Sequence, residues 1–189
     1  AEVRGLPGLY YNLIEGGFRF VIFIAYIIFT LLFQSLRETY RYHGAEHKTI
    51  NCYEMGMPLT VENVKKCSRM HDRCGTTFIF FVLIVSIILF AFVSWTIGGL
   101  DTGSPALDFF LNFLIKLALL PVIAGVSYEI LKLLAKTQSP LVLPLKAPGY
   151  LLQKLTTKEP DDGMIECAVL AFEKVLDMDA DPDSPEKVF

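Results

Sequence analysis

Three long apolar runs govern what this chain can become. They are "FVIFIAYIIFTLLFQSL" at 20–36, "TTFIFFVLIVSIILFAFVSWTIGGL" at 76–100 and "LDFFLNFLIKLALLPVIAGVSYEIL" at 107–131. At about 1.5 Å per helical residue, each run crosses or nearly crosses a hydrocarbon core of about 30 Å. A buried helix of a soluble domain rarely needs such runs. The composition agrees: 53% of residues are hydrophobic and the mean hydropathy is +0.46. The expected fold is an all-α integral membrane bundle with three transmembrane helices. The third run carries Lys116 and Pro121, which predicts a kink. The first run does not read as a signal peptide, because Arg4, Glu15 and Arg19 precede it and no small-residue cleavage site follows.

Basic residues orient the spans. Arg37, Arg41, Lys48, Lys65, Lys66, Arg69 and Arg73 lie between runs one and two. "DTGSPA", between runs two and three, has no Lys or Arg, and Lys132, Lys136, Lys146 and Lys154 follow run three. By the positive-inside rule the first loop and the C-terminal region face the cytoplasm, in a multi-pass protein of the cell membrane. Ala1 then starts outside, which suits a processed chain or a piece of a longer one. A missing N-terminal segment or a partner membrane subunit is expected, beside the lipid bilayer itself. The net charge of −3 and the interspersed acids give no footprint for nucleic acid.

The expected division is a transmembrane domain at 1–136 with a cytoplasmic loop at 37–75, an interfacial segment at 137–158, and an amphipathic helix with an acidic tail at 159–189. Pro140, Pro144 and Pro148 break up the interfacial segment. In the last segment Asp161 or Asp162 caps the helix. Ile165, Val169, Leu170, Phe172, Val175 and Leu176 form its apolar stripe. The tail "DADPDSPEKVF" has the composition of a disordered segment.

The chain holds three histidines, and all fall in the first loop. "YRYHGAEHKTINCYE" carries His43, Glu46 and His47 just beyond run one. No proline occurs from Glu15 to Met57, so the first helix is expected to continue through this motif, with Gly44 its weak point. "MGMPLT" then ends it, and Thr60 caps a second helix over "VENVKKCSRM" with Glu62 in its first turn. "HDRCG" places His71 and Cys74 just before run two, with Gly75 in the left-handed position after the helix end.

If runs one and two form an antiparallel hairpin, both clusters meet at the cytoplasmic membrane surface. His43 and His47, at i and i+4, share a helical face. With His71 and Cys74 they form a set of imidazole and thiolate ligands that suits zinc over magnesium or calcium. H-x-x-E-H is also the order of the inverzincin peptidases, with Glu46 in the place of the general base. The alternative for Glu46 is a salt bridge with Lys48 or Arg73. Interfacial helix residues and a helix cap are the plain alternative for the histidines.

Other residues divide the same way. Lys116 is a functional intramembrane charge, or snorkels or pairs within the bundle. Glu129 reaches toward the metal, or pairs with Lys132. Glu54 is a distal ligand or a solvated acid. Cys67 joins the site or fills the core, and Cys167 is expected in the core. Cytoplasmic thiols stay reduced, so Cys52, Cys67, Cys74 and Cys167 are not expected to form disulfides.

"YHGAEHKTINCYE", "LTVENVKKCSRMHDRCGTTF", "GVSYE" and "LTTKEPDD" together resemble the YqhQ family, from about Leu13 to Leu176. These are bacterial multipass membrane proteins described as predicted metal-dependent enzymes. The resemblance places the family's histidines on His43, His47 and His71, its cysteine on Cys74 and its motif glutamates on Glu46 and Glu54. Family members commonly have proline where this chain has Asp72, and carry a further glycine-rich N-terminal membrane region. The resemblance implies a membrane location and a metal, and leaves the reaction open. Two functions follow. One is a zinc-dependent hydrolase working at the membrane surface on a peptide or lipid, with Glu46 as base. The other is a membrane biogenesis or assembly factor whose metal is structural. A transporter resting on Lys116 and Glu129 is a third.

Overall fold

A computed structural model describes residues 6–97, 102–137 and 139–180, and the described residues are helical with no strand. The helices are α1 (Leu6–Thr30), α2 (Gln34–Glu54), α3 (Val61–Lys66), α4 (Gly75–Ile97), α5 (Pro105–Lys136), α6 (Leu143–Thr156) and α7 (Asp162–Ala180), with a 3-10 turn at Pro140–Val142. Among the described residues two helices, α4 and α5, are long and apolar enough to cross a membrane; the count is three if the bent pair α1 and α2 forms one span. The acidic tail beyond Ala180 lies outside the described residues.

The chain divides into two compact units. The first takes residues 1–26 and 72–149. Here α4 packs along α5, yet only 6% of the most apolar window of α5 is buried by the protein. Phe109, Phe113 and Ile88 stand exposed, as apolar helices do when lipid covers them. The helix α5 runs on through Pro121. Lys116 sits over the Phe90 ring at 5.7 Å, the pairing within the bundle that competed with a functional role. Asp72 takes an ion pair from Lys146 at 2.7 Å. Gly149 allows a close approach, since a Cβ there would collide with the Thr77 side chain.

The second unit takes residues 27–71 and 150–189. Its core is Ala45 and Cys52 from α2, Val64 and Cys67 from α3 and its end, and Met164, Ile165 and Val169 from α7. Ala45 and Cys52 are seven apart, on one stripe of α2. The segment before α7 is clasped to α2. Arg41 reaches Asp161 at 2.9 Å, and Lys48, buried, pairs with Glu159 and donates to the Lys65 carbonyl at 2.9 Å. The Lys158 amide donates to the Tyr40 carbonyl at 2.8 Å. Gly44 is required at this crossing, because a Cβ would run into the Lys158 carbonyl.

Several expectations are corrected. The first helix does not continue into the His motif. It ends at Thr30 and restarts at Gln34, although no proline or glycine intervenes. Thr30 Oγ1 donates to the Ile27 carbonyl at 2.6 Å and lies 2.7 Å from Tyr40 Oη, so a polar contact holds the break. Thr60 caps α3 as expected, accepting from the Asn63 amide at 3.3 Å, but α3 stops at Lys66 rather than reaching Met70. Gly75 begins α4; among the described residues the glycines with positive φ are Gly56 and Gly103. The proline-rich stretch forms α6, since Pro144 falls in a first turn whose amides need no partner and Pro148 is accommodated inside. Asp161 caps α7 through the Met164 amide at 3.0 Å. Leu170 and Cys167 are exposed, while Met164 takes the place expected of them in the core.

Candidate functional site

The site grows from α2. Its buried face carries Gly44, Ala45, His47, Lys48, Thr49 and Cys52, with His43 half-buried beside them. The i, i+4 spacing brings the His43 and His47 rings to 4.4 Å between centroids. His43 Nδ1 lies 2.9 Å from the carbonyl of Thr156, the last residue of α6. His47 Nδ1 lies 2.7 Å from the carbonyl of Arg69. A carbonyl only accepts, so both Nδ1 atoms carry the proton, and in the neutral rings both Nε2 atoms hold the lone pair. Metal-binding histidines have this arrangement, with the remote nitrogen anchored to a carbonyl and the ring orientation fixed.

His71 is held by its main chain. Its amide donates to Gln153 Oε1 at 2.9 Å and its carbonyl accepts from Gln153 Nε2 at 2.8 Å. Gln153 is fully buried in α6. The His71 ring stands 5.7 Å from that of His47, and its Nε2 is 3.4 Å from Glu54 Oε2. Asn51 donates to the carbonyls of Ser68 at 2.7 Å and Met70 at 3.0 Å, which shapes the loop between Arg69 and His71. Arg69 in turn donates to the Thr157 carbonyl at 3.1 Å. The His43 and His47 rings are therefore tied to carbonyls of α6 and of the loop after α3, while His71 is held through its own main chain by the Gln153 side chain.

Cys74 belongs to the first unit. It is buried, with its Sγ 3.0 Å from Thr76 Oγ1. It lies three positions after His71 in the chain, with Asp72 and Arg73 between them. Glu46 is exposed on α2. Its proposed salt bridge to Lys48 is not formed, because Lys48 turns to Glu159. Glu129 pairs with Lys132 at 3.5 Å, the local alternative to a role at the metal. Cys67 is a core residue, packed near Cys52, whose thiol is pushed up to about 11 by burial and then by the neighbouring Cys67.

Sequence reasoning missed the supports: Gln153, the carbonyls of Thr156 and Arg69, and the contact at Gly44. The only trace was "LTTKEPDD", which contains Thr156, Thr157 and Lys158.

The described residues are helical, with two or three helices long and apolar enough to cross a membrane, which is the class of an all-α membrane bundle. The chain belongs to the family described as "Protein of unknown function (DUF1385)", which matches residues 5–178. It is 38% identical over 175 residues to "Uncharacterized protein YqhQ" of Bacillus subtilis (strain 168), covering 92% of this chain and 52% of that protein. The chain therefore spans about half the length of the curated relative it matches. No solved structure matches.

Proposed function

We propose that the protein binds one transition-metal ion, zinc by the softness of the donor set, through His43 Nε2 and His47 Nε2, with Cys74 as the thiolate that the sequence pattern offers. The observation that carries this reading is the pair of Nδ1–carbonyl contacts, which leave both ring lone pairs on Nε2. Burial of His47 and Cys74 supports it, since a buried imidazole and thiol in one short segment suit a metal better than solvent. Three protein ligands leave a fourth position for water, the composition of a catalytic zinc site. The function that follows is hydrolysis at the cytoplasmic membrane surface, with Glu46 as general base and a peptide or lipid as substrate.

A second reading is a membrane assembly factor whose metal is structural. It is favoured by His71, whose ring lies 5.7 Å from His47 and supplies a fourth ligand if it turns from Glu54.

Two experiments decide. Elemental analysis after mild chelator dialysis is expected to give one metal per chain, lost in His47→Ala; unchanged stoichiometry in that variant rejects the site. Glu46→Gln keeps the shape of the side chain but accepts no proton. For a hydrolase it retains the metal and loses activity in complementation by on the order of a hundredfold or more. Full complementation by Glu46→Gln, with loss in His43→Ala and Cys74→Ser, selects the structural reading. The cytoplasmic side is tested with single cysteines at Met57 and Gly103 in a background without native cysteines. An impermeant thiol reagent on intact cells should label position 103 and not 57.

A further inference from the structure

The first unit contains a cavity of about 690 Å³ lined by Arg73, Tyr128, Leu131, Lys132, Ala135 and Lys136. This is within the size range of small-ligand sites. Its lining is sorted by chemistry. Three side chains are cationic and none is acidic, while Leu131, Ala135 and the Tyr128 ring supply an apolar wall. Five of the six fall at i, i+3, i+4, i+7 and i+8, a single stripe on the last turns of α5. Arg73 comes from the residues just before α4. The connection between α4 and α5 is short, so the two packed helices run antiparallel and bring Arg73 and the end of α5 to the same level.

That level is where a spanning helix leaves the hydrocarbon and where lysine stems reach for headgroups. Lys132 is partly engaged, with Glu129 at 3.5 Å and the Tyr128 ring at 5.9 Å, which holds its stem along the cavity wall. Lys136 is exposed at the helix end, near the C-terminal carbonyls. A cationic rim above an apolar wall, at the end of a spanning helix pair, fits a ligand with an anionic phosphate on an apolar body.

We propose that this cavity binds the phosphate group of an anionic membrane lipid, with Arg73, Lys132 and Lys136 on the phosphate and Leu131 and Ala135 against the glycerol and first acyl carbons. A soluble phosphate ester shares the charged chemistry but has no use for the apolar wall. The inference stands apart from the metal reading, because no proposed metal ligand lines the cavity.

The test uses the full chain in phosphatidylcholine nanodiscs, with tail-labelled phosphatidic acid and tail-labelled phosphatidylcholine as probes. Phosphatidic acid is expected to bind at least about tenfold more tightly, since each cation near a lipid surface is worth about fivefold. Lys132→Gln with Lys136→Gln should weaken it about 25-fold. Lys132→Arg with Lys136→Arg should retain it, and Lys174→Gln, on α7, should leave it unchanged. If the double glutamine variant fails to fold, Lys136→Gln alone should cost about fivefold. Equal binding of the two lipids overturns the proposal, as does undiminished phosphatidic acid binding in the glutamine variants. Displacement of the bound probe by millimolar inorganic phosphate keeps the phosphate recognition and rejects the lipid as its source. Metal content is measured on the same samples, so failure here is separate from failure of the metal site.

Discussion

The pair α4–α5 and the group α2–α3–α7 are both helical, and they are built by different rules. In α4 and α5 apolar side chains cover every face, and most of that surface is left to the surroundings. In α2, α3 and α7 the apolar stripe is narrow and the core is small, and the buried polar groups of this unit are individually satisfied: Lys48 and Thr49 of α2, Gln153 of α6 and Thr157 just after it all sit inside with partners. The first arrangement takes its stability from the solvent it meets. The second takes it from specific contacts, so it should be far less tolerant of substitution.

The sharpest test is Gly44→Ala. The added methyl meets the Lys158 backbone, which cannot give way as a side chain would. A loss of about 3 kcal/mol or more is expected in chemical denaturation, at the upper end of overpacking effects. Tolerance of alanine there would remove the contrast. Gln153→Ala should come next, at about 2–3 kcal/mol, because it strips both main-chain groups of His71 of their partner. Elemental analysis of the same variant bears on the proposed metal site: looser packing of the loop bearing His71 and the Arg69 carbonyl should lower any metal content. By contrast Gly125→Ala, in α5 with nothing near its missing Cβ, should stabilise by up to about 1 kcal/mol through helix propensity alone. The smallest perturbation is chemical labelling. At neutral pH a maleimide should modify exposed Cys167 quickly. Cys52, buried and with its pKa raised to about 11, should react only after denaturation. Rapid labelling of native Cys52 would show that the α2–α3–α7 core is open.

Much of the fold was legible because its signals are local. Apolar runs gave α4 and α5, Thr60 gave the start of α3, Gly56 and Pro58 the end of α2, and Asp161 the cap of α7. The shared face of His43 and His47 was legible from their helical spacing. Their supports were not. Nothing near Thr30 announces a helix break, which rests on a hydroxyl contact with Tyr40 ten residues on. Nothing in "LLQKL" marks Gln153 as the buried clamp of a loop more than eighty residues earlier. Leu170 and Cys167 looked like core residues because periodicity gives a stripe but not its exact edge.

By itself, then, the sequence determined that helices form, which of them suit a bilayer, and that all the imidazoles lie in one segment. Each of these depends only on composition and spacing over a few turns. The tertiary structure decided which carbonyls anchor the imidazoles, and with them the tautomers that put the lone pairs on Nε2. It also decided that Gly44 must be glycine and that α5 ends in a cationic cavity. Those features arise where segments distant in the chain meet, and hydrogen bonds and steric exclusion there depend on positions that no local pattern encodes.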